Sequence, residues 1–263
     1  MQQQLLIIDA LNLIRRIDAI SQKHSNKPEQ IMITTIQQTL NSINRLIKQF
    51  SPTHMIAVFD CQGPDWRQSL YPEYKANRSS MPDYLVQAIP QIQDRLLELS
   101  IDSLYNPAIQ ADDLIATIAY KASTHRLTST IISTDHGYWP LLKSPDIHIY
   151  DYFNKRFITQ NSVQEKYNLK CHQLVDYWAL TGSNSVNLKG VPGIGTKTAQ
   201  KLIHHYGNLD AILNHTMGHD KLIDKVLTNQ KIAKLTYKLM QLVIDLPLGF
   251  NLKQLRYRPK SPN

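Results

Sequence analysis

The chain has 263 residues, 42% of them apolar, enough for one large α/β domain with a smaller one attached. No run approaches the roughly 18 consecutive apolar residues of a membrane span, and the start, Met1-Gln2-Gln3-Gln4, lacks the basic segment and small-residue cleavage site of a secretory signal. Lysine and arginine number 29 against 21 acids, a net charge of +8 that favours polyanionic partners, nucleic acid first, although a generic basic surface gives the same count. The two cysteines, Cys61 and Cys171, have no metal-type spacing and read as ordinary thiols in a reducing compartment.

Short apolar runs alternate with longer amphipathic ones. Leu5 to Ile8 reads as a buried strand. Glu29 to Phe50 reads as a helix, with Ile36, Leu40, Ile43 and Ile47 at steps of three and four. Met55 to Phe59 is the next strand, and Met81 to Leu99 is helical, with Pro90 expected to kink or divide it. Ala111 to Lys121 is a helix with an acidic first turn, and Thr130 to Ser133 and Ile147 to Tyr150 are strands. Strands alternating with helices imply an α/β fold, a mainly parallel sheet covered by helices on both faces. From about Asn161 the strand signals stop and short helices follow to about Leu246, so a domain transition is expected there. The last stretch, Asn251 to Asn263, is basic and reads as a loose tail.

The acids are not scattered. Asp9 and Asp60 follow the first two strands, Asp135 follows the strand at Thr130, and Asp112 and Asp113 open a helix. In an open parallel sheet, ligands bind beyond the carboxyl ends of the strands. Singly, Asp112 could serve the helix dipole, and Asp9 and Asp60 could be turn residues. Together they point to a site where a cation offsets like-charge repulsion. Oxygen-only ligands suit magnesium or manganese, and such an ion on a basic protein points to phosphodiester chemistry.

Gly190-Val191-Pro192-Gly193-Ile194-Gly195-Thr196-Lys197-Thr198-Ala199 precedes an apolar helix, Ala199 to Tyr206. Glycines let the backbone approach a ligand, and the N–H groups at a helix start can meet a phosphate. The spacing is not that of a nucleotide P-loop, which disfavours ATP. An ordinary turn between two helices would use the same glycines. Tyr71-Pro72-Glu73-Tyr74-Lys75-Ala76-Asn77-Arg78, with Trp66 and Arg67 before it, mixes aromatics for base stacking with cations for the backbone; a basic surface loop is the alternative.

These blocks, with Val58-Phe59-Asp60 and Ala111-Asp112-Asp113-Leu114-Ile115-Ala116-Thr117, resemble in order and spacing the bacterial 5′-nuclease or flap-endonuclease family. The size and the opening Ile8-Asp9-Ala10-Leu11-Asn12-Leu13-Ile14-Arg15-Arg16 are similar to its stand-alone subgroup, the Xni or exonuclease IX group. The resemblance implies a PIN-like nuclease domain over residues 1–165, including a helical arch that includes or adjoins Tyr74 to Leu97. It implies an all-helical helix-three-turn-helix DNA-binding domain over residues 166–263. Lys75 and Arg78 would face the scissile phosphate, with Arg16 and Arg67 as further phosphate contacts and Tyr74 at the DNA. Gly193, Ile194, Gly195, Thr196, Lys197 and Thr198 would hold duplex phosphates. A potassium ion would sit on the backbone carbonyls of Leu180, Thr181, Lys189, Val191 and Ile194.

The chain departs from the family pattern at four carboxylates, replaced here by Gln110, Gly137, Ser183 and Val186. Asp9, Asp60, Asp112 and Asp113 remain for a first magnesium, and little beyond Asp135 for a second. The expected function is magnesium-dependent cutting of 5′ flaps on branched duplex DNA during lagging-strand replication or repair. A DNA-binding protein of nuclease fold with little catalysis is the alternative, and an RNA-cutting PIN nuclease a more distant one. The expected setting is cytoplasmic and nucleoid-associated, the chain acting as a monomer and away from membranes.

Overall fold

In the computed structural model, the described residues are 3–258 except 62, 64 and 219. Met1, Gln2 and the end of the expected tail, 259–263, lie outside them. The rest of that stretch is not loose. Leu252–Leu255 forms a 3-10 turn with Leu255 buried, and the Tyr257 N–H donates to the Thr53 carbonyl at 2.9 Å.

A six-stranded sheet has the order β3-β2-β1-β4-β5-β6. Its strands are β1 (Gln4–Asp9), β2 (His54–Phe59), β3 (Asp102–Tyr105), β4 (Thr128–Ile132), β5 (Ile147–Asp151) and β6 (Arg156–Ile158). The first five are parallel and β6 is antiparallel. The order reverses between β1 and β4, so a crevice opens beyond their carboxyl ends. Leu5, Leu6 and Ile7 are wholly buried in the central strand, as a sheet covered on both faces requires.

One face carries α1 (Ala10–Ser21), α2 (Pro28–Phe50) and α4 (Asp83–Glu98); the short α3 (Trp66–Leu70) lies between β2 and α4. The other face carries α5 (Ala111–Thr124), where Ala116 and Ala119 replace bulk with close approach and are fully buried. β3 was not apparent from hydrophobicity, because its residues Asp102 to Tyr105 are mostly exposed at the sheet edge.

The segment expected to arch, Tyr74 to Leu97, is of two kinds. Residues 71–78 are turns, and α4 is a packed helix with Leu85, Ala88, Ile89, Ile92 and Leu96 buried against α2 and the sheet. Pro90 neither divides nor ends α4; it sits within one 16-residue helix. Interior proline costs about 3 kcal/mol, and the buried apolar face offsets it.

The second half comprises α6 (Gln160–Tyr167), α7 (Leu174–Thr181), α8 (Thr196–Tyr206), α9 (Leu209–Leu213), α10 (Lys221–Thr228) and α11 (Gln230–Met240). Among the described residues of this half, the strands are one two-stranded hairpin, β7 (Gly182–Ser183) with β8 (Leu188–Lys189). Here Gly182 and Gly190 cross at close range. A Cβ on Gly190 would overlap the Thr181 and Leu180 backbone, and Gly182 has φ +73°. No other residue type fits that crossing, which ties the end of α7 to the turn before α8.

Candidate active site

Asp9, Asp60, Asp112 and Asp135 line one polar cavity of about 460 Å³, together with Arg15, Arg16, Lys75 and Arg78. Asp9 ends β1 and caps α1, accepting the Asn12 N–H at 3.3 Å. Asp60 follows β2 and accepts the N–H groups of Ala111 and Cys61 at 3.0 and 3.1 Å, so it also fixes the start of α5. Asp112 stands in the first turn of α5. Asp135 follows β4 and accepts the Gly137 N–H at 2.8 Å. Four carboxylates from different strand and helix ends thus reach the crevice at the sheet's reversal.

Sequence reasoning did not single out the groups that hold them. The Ser133 hydroxyl donates to Asp9 Oδ2 at 2.7 Å. The buried Tyr138 hydroxyl lies 3.0 Å from Asp112 Oδ1 and 3.3 Å from Asp9 Oδ2. It has one proton and so donates to one carboxylate at a time. Ser133 had a signal, since it directly precedes Thr134-Asp135 at a strand end; Tyr138, inside a 3-10 segment, had none.

The electrostatics follow from burial. Burial first, then the neighbouring Asp112, pushes the Asp9 carboxyl up to about 8. The same two causes raise Asp60 and Asp135. Burial also pushes Asp112 up, but Lys75, Arg67, the Tyr138 hydroxyl and Arg78 together hold it below the ordinary carboxylate value. Lys75 loses basicity to burial and regains more from Asp112, Tyr74 and Asp60, so it stays charged.

Lys75 is held with care. Its backbone is left-handed, φ +58°, and its N–H donates to the Val186 carbonyl at 2.9 Å. Its Nζ donates to Gln110 Oε1 at 2.8 Å and lies 3.6 Å from Asp112 Oδ2. The Gln110 amide donates in turn to Asp65 Oδ2. An ionised glutamate at 110 could not donate to Asp65, so the bridge needs the amide. Asn77 and Asn187 complete the docking, donating to the Asn184 and Glu73 carbonyls at 2.7 and 2.8 Å. Lys75 and Arg78 are therefore carried on a turn fastened to the second half of the chain.

Three expected site residues are placed elsewhere. Asp113 is fully buried and pairs with both guanidinium nitrogens of Arg67, at 2.6 and 2.8 Å. It also accepts from Trp66 Nε1 at 3.1 Å and the Val243 N–H at 3.0 Å, leaving it no face for a metal. Arg67 is 2% exposed and donates to the Leu239 and Gln241 carbonyls at 2.8 and 2.9 Å; it is an internal tie and not a phosphate contact. Tyr74 is 4% exposed, packed on Val186, Leu188 and Leu239, and offers no ring for a DNA base.

The remaining donors fit one hard cation. They are all carboxylate oxygens, and three of the four are raised by burial among like charges, which a cation would relieve. Among the described residues no three His, Cys, Asp or Glu side chains converge tightly enough to cage an ion, so part of its coordination must come from water or substrate. A second ion does not fit as well. Asp135 and Asp112 also line an adjoining cavity of about 360 Å³, and the remaining lining, which includes Gly137, Ser183, Ser185 and Val186, adds no further carboxylate.

In the second half, the residue before α8 is Gly195, which has no side chain to cap the helix, and Thr196 and Lys197 are exposed near Gly193, φ +76°. Ile194 has a buried side chain and can meet a ligand only through its backbone, while Thr198 is half-buried in the first turn. Of the carbonyls expected to hold potassium, those of Leu180, Val191 and Lys189 already accept from Val191 N–H, Ile194 N–H and Thr236 Oγ1, at 2.8, 3.0 and 3.0 Å. Each keeps a second lone pair.

The family described as 5′-3′ exonuclease, N-terminal resolvase-like domain, matches residues 4–168, and the 5′-3′ exonuclease, C-terminal SAM fold, matches 169–263. The chain belongs to the 5′-3′ exonuclease family. Relatives in this family named flap endonuclease Xni include those of Colwellia psychrerythraea and Tolumonas auensis. They are 43% and 45% identical, covering 99% and 98% of this chain and 94% and 99% of their own lengths. The solved T5 5′-exonuclease with bound zinc shares the fold, with a TM-score of 0.77 over 92% of this chain and 90% of its own, at 23% identity. A family nuclease fold therefore surrounds a carboxylate cavity, and a metal cofactor accords with both.

The raised Asp9 carboxyl gives a pH signature. The metal-free folded protein holds that proton between about pH 4 and about pH 8, while the unfolded chain releases it near 4, so stability falls as pH rises through the window. Thermal unfolding in EDTA from pH 5 to 8.5 is expected to show a shallower decline for Asp9→Asn than for the parent. Equal slopes would remove Asp9 as the proton holder.

Proposed function

We propose that this protein is a metal-dependent endonuclease that cuts 5′ single-stranded flaps on branched duplex DNA. The observation that carries this reading is the meeting of Asp9, Asp60, Asp112 and Asp135 with Lys75, Arg78 and Arg16 around one cavity. Relatives named flap endonuclease at 40–45% identity over nearly the whole chain support it. Asp112, with Asp9 and Asp60 near it, would hold magnesium or manganese, and water or substrate would complete the coordination. The chemistry such a cation would supply there is positive charge to polarise the phosphodiester and ease deprotonation of the attacking water. Lys75 and Arg78 stabilise charge developing on the phosphoryl oxygens, and Arg16 positions the strand.

Duplex phosphates lie on the N–H groups at the start of α8, with Lys197 beside them, and the grip is indifferent to sequence. The carbonyls of Leu180, Thr181, Lys189, Val191 and Ile194 would hold a potassium ion that would assist this grip. The setting is the cytoplasm, where displaced 5′ ends arise in replication and repair. No helix of the described residues is long and apolar enough to cross a membrane. Structure-selective DNA binding with little catalysis is the second reading, favoured by a cavity beside the site in which Asp112 and Asp135 are the only carboxylates and Gly137, Ser183 and Val186 are neutral.

Flap DNA, blunt duplex and single-stranded RNA, each labelled and offered in competition with magnesium, test the reading: flap DNA should be cut first. Preferential cutting of RNA would overturn it. Lys75→Met should slow single-turnover cleavage by about 10²–10³-fold, as loss of one charge-stabilising donor does. The same variant should bind manganese at least as tightly as the parent, because a competing cation 3.6 Å from Asp112 is gone. Lys197→Ala should make the salt dependence of duplex affinity shallower by about one unit of log–log slope; an unchanged slope removes Lys197 from the phosphate contacts.

A further inference from the structure

At the opposite edge of the sheet from the carboxylates lies a cavity of about 560 Å³, lined by Gln3, His54, Lys253, Gln254, Arg256 and Arg258. Gln3 precedes β1 and His54 opens β2, so a full strand, about 20 Å of extended chain, separates this cavity from Asp9 and Asp60. The C-terminal segment builds its other wall. Leu255 is buried, His54 and Arg256 form an antiparallel bridge, and the Tyr257 N–H is bonded to the Thr53 carbonyl. Tyr257 packs inward on the core, and in an extended segment the residues on either side point the other way. Arg256 and Arg258 therefore stand together over the cavity, with Lys253 supplied by the 3-10 turn before them. These three cations are exposed, and among the described residues none is in an ion pair and no carboxylate lines the cavity. His54 is buried beneath them, and the Thr53 hydroxyl meets its Nδ1 at 2.9 Å, so Nε2 is the ring nitrogen that a ligand can use.

We propose that this cavity binds a compact polyphosphate, either inorganic pyrophosphate or the polyphosphate group of a nucleotide. The donors select that class. Two guanidinium forks side by side match the oxygens of adjacent phosphoryl groups, and Lys253 adds a point charge. The Gln254 side-chain carbonyl already accepts the Asn251 N–H at 2.7 Å, which leaves its NH2 to donate to a ligand. Every polar group turned to the cavity can thus donate. Burial first, then Arg256, hold His54 below its ordinary value, so the ring of the free protein is neutral; an anion among the cations reverses the second cause and recruits the ring as a further donor. A DNA strand spreads single charges along its length, whereas a polyphosphate gathers several in the space that three unpaired cations share. The bound anion ties the C-terminal segment to the start of β2 and so stabilises the folded chain. The inference does not depend on the nuclease reading.

The test is calorimetric titration of the full chain with pyrophosphate in EDTA, with the His54 ring followed by NMR. Pyrophosphate should raise the titration midpoint of that ring by about one unit and raise the thermal midpoint of the protein. Affinity should fall about tenfold in Arg256→Gln and in Arg258→Gln, and the His54 response should vanish in the double variant. Both arginines are exposed, so the variants should fold as the parent does. ATP and AMP separate the two sources. ATP bound no more tightly than pyrophosphate, with AMP weak, means that free polyphosphate is the ligand; ATP bound more tightly means that the nucleoside adds contacts. A His54 ring unmoved by pyrophosphate, or equal pyrophosphate affinity in the parent and the double variant, would overturn the site. Displacement of pyrophosphate by flap DNA, with flap affinity reduced in the double variant, would overturn it in favour of a DNA contact.

Discussion

Arg67→Ala is expected to destabilise the protein by about 3–5 kcal/mol, the usual cost of leaving one member of a buried ion pair unpartnered. For a chain of this size that is a drop of roughly 10 °C in thermal midpoint. The magnitude follows from the surroundings. Arg67 and Asp113 are 2% and 0% exposed in their side chains and bonded through two nitrogens and two oxygens. Arg67 also ties the Leu239 and Gln241 carbonyls to the nuclease half, and Asp113 holds the Val243 N–H. Loss of the guanidinium thus leaves the buried Asp113 carboxylate without its charge partner and two carbonyls without their donor, and loosens the chain beyond α11. Arg67→Met with Asp113→Leu should recover part of the loss, because an apolar pair needs no charge partner. Calorimetric unfolding of the three proteins decides it. An unchanged midpoint with weakened DNA binding would return Arg67 to the surface role that its sequence context suggested.

Asp112→Asn is expected to lower divalent-metal affinity by more than a hundredfold. Groups that merely orient a metal ligand are worth about 10–100-fold, and Asp112 stands closer than that. It has a central place among the acids. Its charge raises the carboxyls of Asp9, Asp60 and Asp135, and it meets Lys75 and Tyr138. Neutralising it should therefore have a second effect, lowering those three carboxyls toward ordinary values. Manganese titration reads the first effect, and carboxyl titration by NMR in EDTA reads the second. Undiminished metal affinity would sink the assignment of Asp112 as a ligand.

Much of this was legible in the sequence. The wholly apolar runs at β1, β2 and β4 are the signature of buried parallel strands, and the aspartates at their ends reach one crevice because the sheet order reverses there. Asp112 and Asp113 were not separable. Adjacent residues on a helix point about 100° apart, so only one can face the cavity, and spacing does not say which. Arg67 was misplaced because arginine is seldom fully buried. The Asp65 cap that starts α3 is local, but the partner that holds Arg67 inward, Asp113, is 46 residues away. Tyr74 was misplaced for a related reason: the turn that carries it docks on Val186 and Leu188, far along the chain. Gln110 read only as a lost carboxylate, because its link between Lys75 and Asp65 exists in three dimensions alone.

The most direct test of the central claim is cleavage of a labelled 5′-flap duplex by highly purified protein in magnesium and potassium, beside Asp112→Asn prepared identically. The account predicts cutting near the flap junction by the parent and none above background by the variant. Tight flap binding by both, with equal and negligible cutting, would contradict it and leave a DNA-binding protein built on a nuclease fold.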